Sequence, residues 1–181
     1  MKISPLNEQL GALVTDIDIT KALPIAEKQK LQLALTEHSL LLFRGETLSA
    51  QQQINFSRTF GELEVFPWHP SQIKGAPEIF RLANDPNKGY ENVGMYWHSD
   101  GTFREKSTPI SIFHLIEVPE HGGDTWFSHL RKTWLSLPEN VKEKIHQLKT
   151  VHSNNVIHPL VNKHPVTGHE HIYINVGLTA G

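Results

Sequence analysis

Apolar positions change their period several times along this chain, and each change predicts an element. Between Pro24 and His38, the residues Leu31, Ala34, Leu35 and His38 recur at the three- and four-residue spacing of one helix face, and Pro24 suits a helix's first turn. The run "LLLFRG" that follows lacks this period and predicts a strand ending at Gly45. A second helix is predicted from Ser49, which has Gln52 at capping-box distance, to Gly61, with Ile54 and Phe60 turned inward. Helices on either side of a strand are expected to cover a sheet. Residues 64–92 are turn-rich, in "FPWHP" and "NDPNKG", around a short strand at "EIFRLA". "PISIFHLIEV" is apolar at both parities and bounded by Pro109 and Pro119, the pattern of a strand buried on both faces. A third helix is expected in "SLPENVKEKIHQL", with Ser136 and Glu139 as a capping box and Val141, Ile145 and Leu148 as its inner stripe. The tail predicts two strands joined at Val166, Thr167 and Gly168, the second alternating Ile172, Ile174 and Val176 with His171, Tyr173 and Asn175. No repeat or linker interrupts the series. The expectation is a single α+β domain over residues 1–181, mainly β.

Composition narrows the chemistry. A chain of 181 residues and 20.5 kDa can bury a core without covalent staples, and 11 Pro with 12 Gly suit the many turns of a β-rich fold. The formal charge is −2, and Lys and Arg form no stripe, so no nucleic-acid partner is expected. The absence of cysteine removes disulfides, thiolate zinc sites, iron–sulfur clusters and a cysteine nucleophile together, so any metal here takes nitrogen and oxygen ligands. The opening "MKISPLNEQLGALVTDIDIT" contains Glu8, Asp16 and Asp18 and no long apolar run. It reads as neither signal peptide nor membrane anchor, and a cytoplasmic location without membrane partners is expected.

The sharpest chemical signal is "NVGMYWHSDGTF". In an extended segment, side chains at i and i+2 leave the same face about 6.5–7 Å apart at Cα. His98 and Asp100 can then lean onto one ion, which makes half of a metal site. Taken alone, the triplet also reads as a polar turn bonded to its own backbone. Its context adds more: Trp97 precedes it, Gly101 follows, the long apolar run comes next, and "HGGDTW" lies beyond. In that order, "LLLFRGETLSAQQQINFSRTFGEL", "WHSDGTF", "GGDTWF" and "HPLVNKHPVTGHEHIYINVGLT" resemble the TauD/TfdA family, that of taurine dioxygenase and 2,4-dichlorophenoxyacetate dioxygenase, from about Leu10 to Gly181.

The resemblance implies a double-stranded β-helix, the clavaminate synthase-like jelly roll, with helices flanking it. It also implies a dioxygenase dependent on Fe(II) and 2-oxoglutarate that hydroxylates a small organic substrate, such as a sulfonate or aryloxy acid, and releases succinate and CO2. His98 and Asp100 would be two of three iron ligands, leaving positions open for the keto acid and dioxygen. A carboxylate at Asp100 favours hydroxylation, because halogenating relatives of this broad class lack it and seat a halide there. Thr125 corresponds to the threonine that hydrogen-bonds a carboxylate of 2-oxoglutarate, though on its own it equally suits a strand. Phe66, His69, Gly101 and Leu178 are candidate substrate-pocket positions, and such residues also suit an ordinary core. Phe66 and His69 stand where taurine-using relatives carry a histidine and a tyrosine, and Gly94 where they carry an asparagine, which argues against taurine as substrate. His152, His158, His164, His169 and His171 read as structural histidines, not a second metal site.

The family's third iron ligand, a histidine, and its arginine for the keto acid have no counterpart up to Gly181. The roll is therefore expected to be incomplete at its C-terminus, which leaves strand edges free to pair with another chain, a homo-oligomer included. A second expectation of a different class follows: a truncated, catalytically inactive β-roll module that binds a small carboxylate or a protein partner.

Overall fold

The computed structural model describes residues 1–45, 47–66, 72–91 and 93–181. Strand β1 (Lys2–Pro5) pairs antiparallel with β2 (Ala12–Thr15), and β2 pairs in parallel with β3 (Leu41–Phe43). A parallel neighbour requires a crossover, and helix α1 (Ile25–His38) supplies it. Pro24 occupies the position before the helix, as its fixed φ allows. The helix stops where Ser39 turns left-handed at φ 62° and its N–H closes on the Leu35 carbonyl.

Helix α2 (Ala50–Ser57) starts on the predicted capping box: the Ser49 side chain accepts from the Gln52 N–H, and the Gln52 side chain accepts from the Ser49 N–H. It ends at Ser57, one turn before Gly61, because the N–H groups of Thr59 and Phe60 bond carbonyls only three residues back and tighten the chain into turns. Phe60 still faces inward. Val14, Leu23, Leu31 and Phe56 form the buried cluster between sheet and helices, with Ile3, Leu41, Phe43 and Phe60 packed around it. Phe56 meets Phe43 and Phe60 edge to face at 5.1 and 5.7 Å. Strands β4 (Gln72–Ile73) and β5 (Ala76–Phe80) make a small antiparallel ribbon, so the strand expected at "EIFRLA" is present, beginning earlier.

Later in the chain come helices α3 (Leu130–Ser136) and α4 (Glu139–Ile145), then the antiparallel pairs β6 (Lys149–Val151) with β7 (Ile157–Pro159) and β8 (Val161–Lys163) with β9 (Glu170–Ile172). The turn between β8 and β9 falls where expected, closed by the Gly168 N–H on the His164 carbonyl with Gly168 at φ +69°. Helix α3 packs on β9 and buries Trp134. The chain forms two compact units, Met1–Val93 with Ile112–Gly123, and Gly94–Ser111 with Asp124–Gly181.

Three expectations are corrected. Ser136 and Glu139 form no capping box: Ser136 is the last residue of α3, its hydroxyl donates to the Thr133 carbonyl at 2.8 Å, and α4 begins after Pro138 with no side-chain cap. Leu148, expected inside, is 51% exposed, beyond the end of α4. "PISIFHLIEV" forms no strand, and Phe113, Leu115, Ile116 and Val118 are each more than half exposed. A segment apolar on both faces is a stable buried strand only with ladder partners and cover on both sides, and the described residues give it neither. His114 is its anchor: Nδ1 lies 3.2 Å from the Gln53 Oε1, to which it donates, and Nε2 accepts from the Leu48 N–H at 3.3 Å.

Leu31 is fully buried, so Leu31→Ala should lower the unfolding free energy by about 2–5 kcal/mol in urea titration followed by circular dichroism. Ser49→Ala, which removes only the cap, should cost about 1 kcal/mol. Equal losses for the two variants would contradict this account of the core.

Candidate functional site

The segment from Tyr96 to Thr102 has no ladder of its own, and turns begin at Asp100. Gly101 makes the turn. It is buried at φ +70°, and a Cβ there would lie 2.6 Å from the Thr108 backbone nitrogen. The Thr102 side that follows is fully buried. These constraints turn Asp100 back toward His98.

The His98 Nδ1 lies 2.8 Å from the Tyr96 carbonyl oxygen. A carbonyl can only accept, so Nδ1 carries a proton and Nε2 is the ring nitrogen left to face outward. Nε2 faces the Asp100 Oδ1 at 3.3 Å. The other carboxylate oxygen, Oδ2, accepts a short hydrogen bond from the Ser111 hydroxyl. At that distance Nε2 can either donate a proton to the carboxylate oxygen or share a cation with it. Two cis ligands of an octahedral ion, each about 2.1 Å from it, stand about 3 Å apart. The pair therefore fits a divalent cation bound by one nitrogen and one oxygen, and its Nδ1 bond is the usual orienting contact of a ligating histidine. Among the described residues, no third His, Asp or Glu joins them in a metal-ligating group.

The remaining predicted positions are placed as follows. Thr125 is exposed in a stretch without regular structure. Leu178 is half-buried, its N–H bonded to the Asn175 Oδ1 at 3.0 Å. Phe66 belongs to the first unit, where its ring packs on Phe80 at 4.8 Å between centroids. His69 lies outside the described residues. Gly94 adjoins the pair: a Cβ there would sit 3.4 Å from the His98 Cε1. The structure thus brings His98, Asp100 and Gly101 together, with Leu178 on the segment bonded beside them.

Sequence reasoning missed Ser111, Tyr96 and Asn175. Ser111 lies within an apolar run 11 residues from its partner, and Tyr96 acts through its backbone, so neither carries a local signal. The strand expected through Val176 ends at Ile172, and beyond it the faces are reversed, with Ile174 and Val176 exposed and Tyr173 and Asn175 buried, so Asn175 is a buried amide that must be satisfied. Its neighbours His152 and His158 are also buried, with rings 5.2 Å apart and that of Tyr173 5.0 Å from His158. Burial, with the neighbouring His158, holds the His152 imidazole below its ordinary pKa, and burial pushes the Tyr173 phenol up.

Against known proteins, the sequence model of the taurine catabolism dioxygenase TauD, TfdA family matches residues 2–180. An α-ketoglutarate-dependent 2,4-dichlorophenoxyacetate dioxygenase of Cupriavidus pinatubonensis is 34% identical over 164 residues, 82% of this chain and 57% of that protein. An alkylsulfatase of Acinetobacter baylyi is 34% identical over 155 residues, 85% of this chain and 47% of that protein. The crystal structure of a taurine dioxygenase from Burkholderia xenovorans superposes with a TM-score of 0.79 at 24% identity, covering 98% of this chain and 65% of that one. The fold is therefore that of the solved dioxygenase, and the chain spans about half the length of the curated relatives it matches.

Gly101→Ala should cost at least about 1–2 kcal/mol in urea unfolding, from the left-handed φ alone, with the Thr108 overlap in addition. For His152, the folded state resists protonation while the unfolded state takes a proton near pH 6.5, so its contribution is full above that pH and is lost as pH falls through the depressed folded-state value. Unfolding measured from pH 7.5 to 5 should show stability falling, with a smaller slope in His152→Asn. An identical slope would remove His152 from this role.

Proposed function

The chain belongs to the taurine catabolism dioxygenase TauD, TfdA family, and from that premise we propose that it carries an Fe(II) and 2-oxoglutarate site that hydroxylates a small organic substrate, with release of succinate and CO2. The observation that carries this reading is the His98 Nε2 facing the Asp100 Oδ1 at 3.3 Å, with the remaining ring nitrogen and carboxylate oxygen already bonded elsewhere. Iron bound there, with keto acid and dioxygen, supplies an oxidant for an unactivated C–H bond. The protein's own work is binding and orientation. Tyr96 holds the His98 ring so that Nε2 is presented, and Ser111 occupies one Asp100 oxygen so that the other is offered singly. With a carboxylate in place at Asp100, we assign hydroxylation, not halogenation.

We assign Thr125 to a carboxylate of the keto acid, and keep Phe66, His69, Gly101 and Leu178 as candidate substrate-contacting positions. The substrate classes favoured are aryloxy acids and sulfur-containing anions, as the names of the two curated relatives suggest. We read the fold as a jelly roll with flanking helices, forming one domain over residues 1–181. The likeness to the Burkholderia xenovorans structure and the family match over residues 2–180 support this. Among the described residues, no helix is long and apolar enough to cross a membrane, which accords with a cytoplasmic enzyme. A second reading is a catalytically inactive β-roll module that binds a small carboxylate or a protein partner; in its favour, no group of three or more His, Asp or Glu among the described residues could hold a metal ion.

Incubation with Fe(II), 2-oxoglutarate and a panel of aryloxy acids, sulfate esters and sulfonates should yield succinate, and Asp100→Ala should reduce the yield by at least about 100-fold. Equal yield from Asp100→Ala would contradict the assigned ligand. Binding of 2-oxoglutarate by calorimetry with no succinate from any substrate would establish the second reading instead.

A further inference from the structure

We propose that Asn175 is a positioning residue that fixes the geometry of the His98–Asp100 pair, an inference that rests on the metal-site reading above. Asn175 is 1% exposed, and every hydrogen-bonding capacity of its amide is used. Its Nδ2 donates to the Ser99 carbonyl at 3.4 Å and to the Thr102 Oγ1 at 3.1 Å, and its Oδ1 accepts from the N–H groups of Gly177 and Leu178, both at 3.0 Å. The orientation of the amide is dictated by this set, since the carbonyl of Ser99 needs a donor and the two N–H groups need an acceptor. Ser99 lies between the two ligands and Thr102 just past them, so one side chain grips the backbone inside and after the pair.

Neighbouring contacts act in the same direction. The Val176 N–H donates to the Trp97 carbonyl at 3.2 Å, and the His158 Nε2, which must carry the proton, donates to the Thr102 carbonyl at 3.1 Å. Tyr96, whose carbonyl orients His98, lays its ring against Gly177, where a Cβ would come within 2.2 Å of it. A strand normally receives its shape from ladder bonds, and residues 97–102 belong to no strand. The tail segment 175–178 does that work through one side chain and one backbone bond. Without the Asn175 amide, the buried Thr102 hydroxyl and the part-buried Ser99 carbonyl lose their donor and the loop is free to widen the ligand spacing.

The test is Mn(II) titration of the full chain, followed by paramagnetic broadening of the His98 imidazole signals, which reports even weak binding and needs no turnover. Asn175→Ala should weaken Mn(II) binding by about 10-fold or more, the usual consequence of removing an orienting partner. Thr102→Val should weaken it as well, while Thr102→Ser, which keeps the accepting oxygen, should bind like the wild type. Where Asn175→Ala does not fold, the Thr102 pair decides. Wild-type affinity in folded Asn175→Ala, or in Thr102→Val, overturns the proposal. Asp100→Ala is the control for the underlying site: if it binds Mn(II) as the wild type does, the metal reading has failed and the positioning role falls with it, whatever the Asn175 variants show.

Discussion

His98 and Asp100 sit on backbone with no strand neighbours, and the 3.3 Å between their facing atoms exists because other groups hold both ends of that backbone. The left-handed turn at Gly101 bends the chain, the Tyr96 carbonyl fixes the ring, and Ser111 fixes the carboxylate. Each of these contacts removes a rotational freedom, so the two side chains are ordered ahead of any binding event.

The groups that hold this loop are polar and buried, which is an expensive arrangement unless it is fully bonded. Asn175 meets that condition with four partners, and Thr102 accepts from it while its carbonyl takes the His158 proton. His152 meets it less completely: Nε2 lies 2.8 Å from the Thr150 hydroxyl and Nδ1 has no partner, so the ring is stable there only while neutral. Burial, with the neighbouring His158, holds its pKa below the ordinary value.

In the first unit the physics is simpler. Leu31, Val14 and Phe56 bury apolar surface between a three-stranded sheet and two helices, while the Ser49 side chain caps the start of α2 and the Ser39 backbone N–H closes the end of α1. Its segment 112–118 stays largely exposed although it is apolar, with the His114 imidazole held between Gln53 and Leu48. That contrast shows how little hydrophobic content alone decides: burial needs a facing surface as well as an apolar side chain.

Local signals were legible wherever the physics is local. The proline before α1, the capping box at Ser49, the turn at Gly168 and the two-residue spacing of His98 and Asp100 depend on neighbours within a few positions, and all four are present in the structure. The box read at Ser136 failed because the hydroxyl had a nearer carbonyl in a helix that the pattern did not reveal. Short strands such as β1 and β2 were not legible, because a strand of four residues is defined by its partner more than by its own period. What the sequence by itself determined was the chemistry on offer, an imidazole and a carboxylate two positions apart with no cysteine, in a family order of motifs. Only the tertiary structure decided which ring nitrogen faces which oxygen, and that an amide more than 70 residues downstream holds them, because hydrogen bonds across such distances in sequence leave no trace in local periodicity.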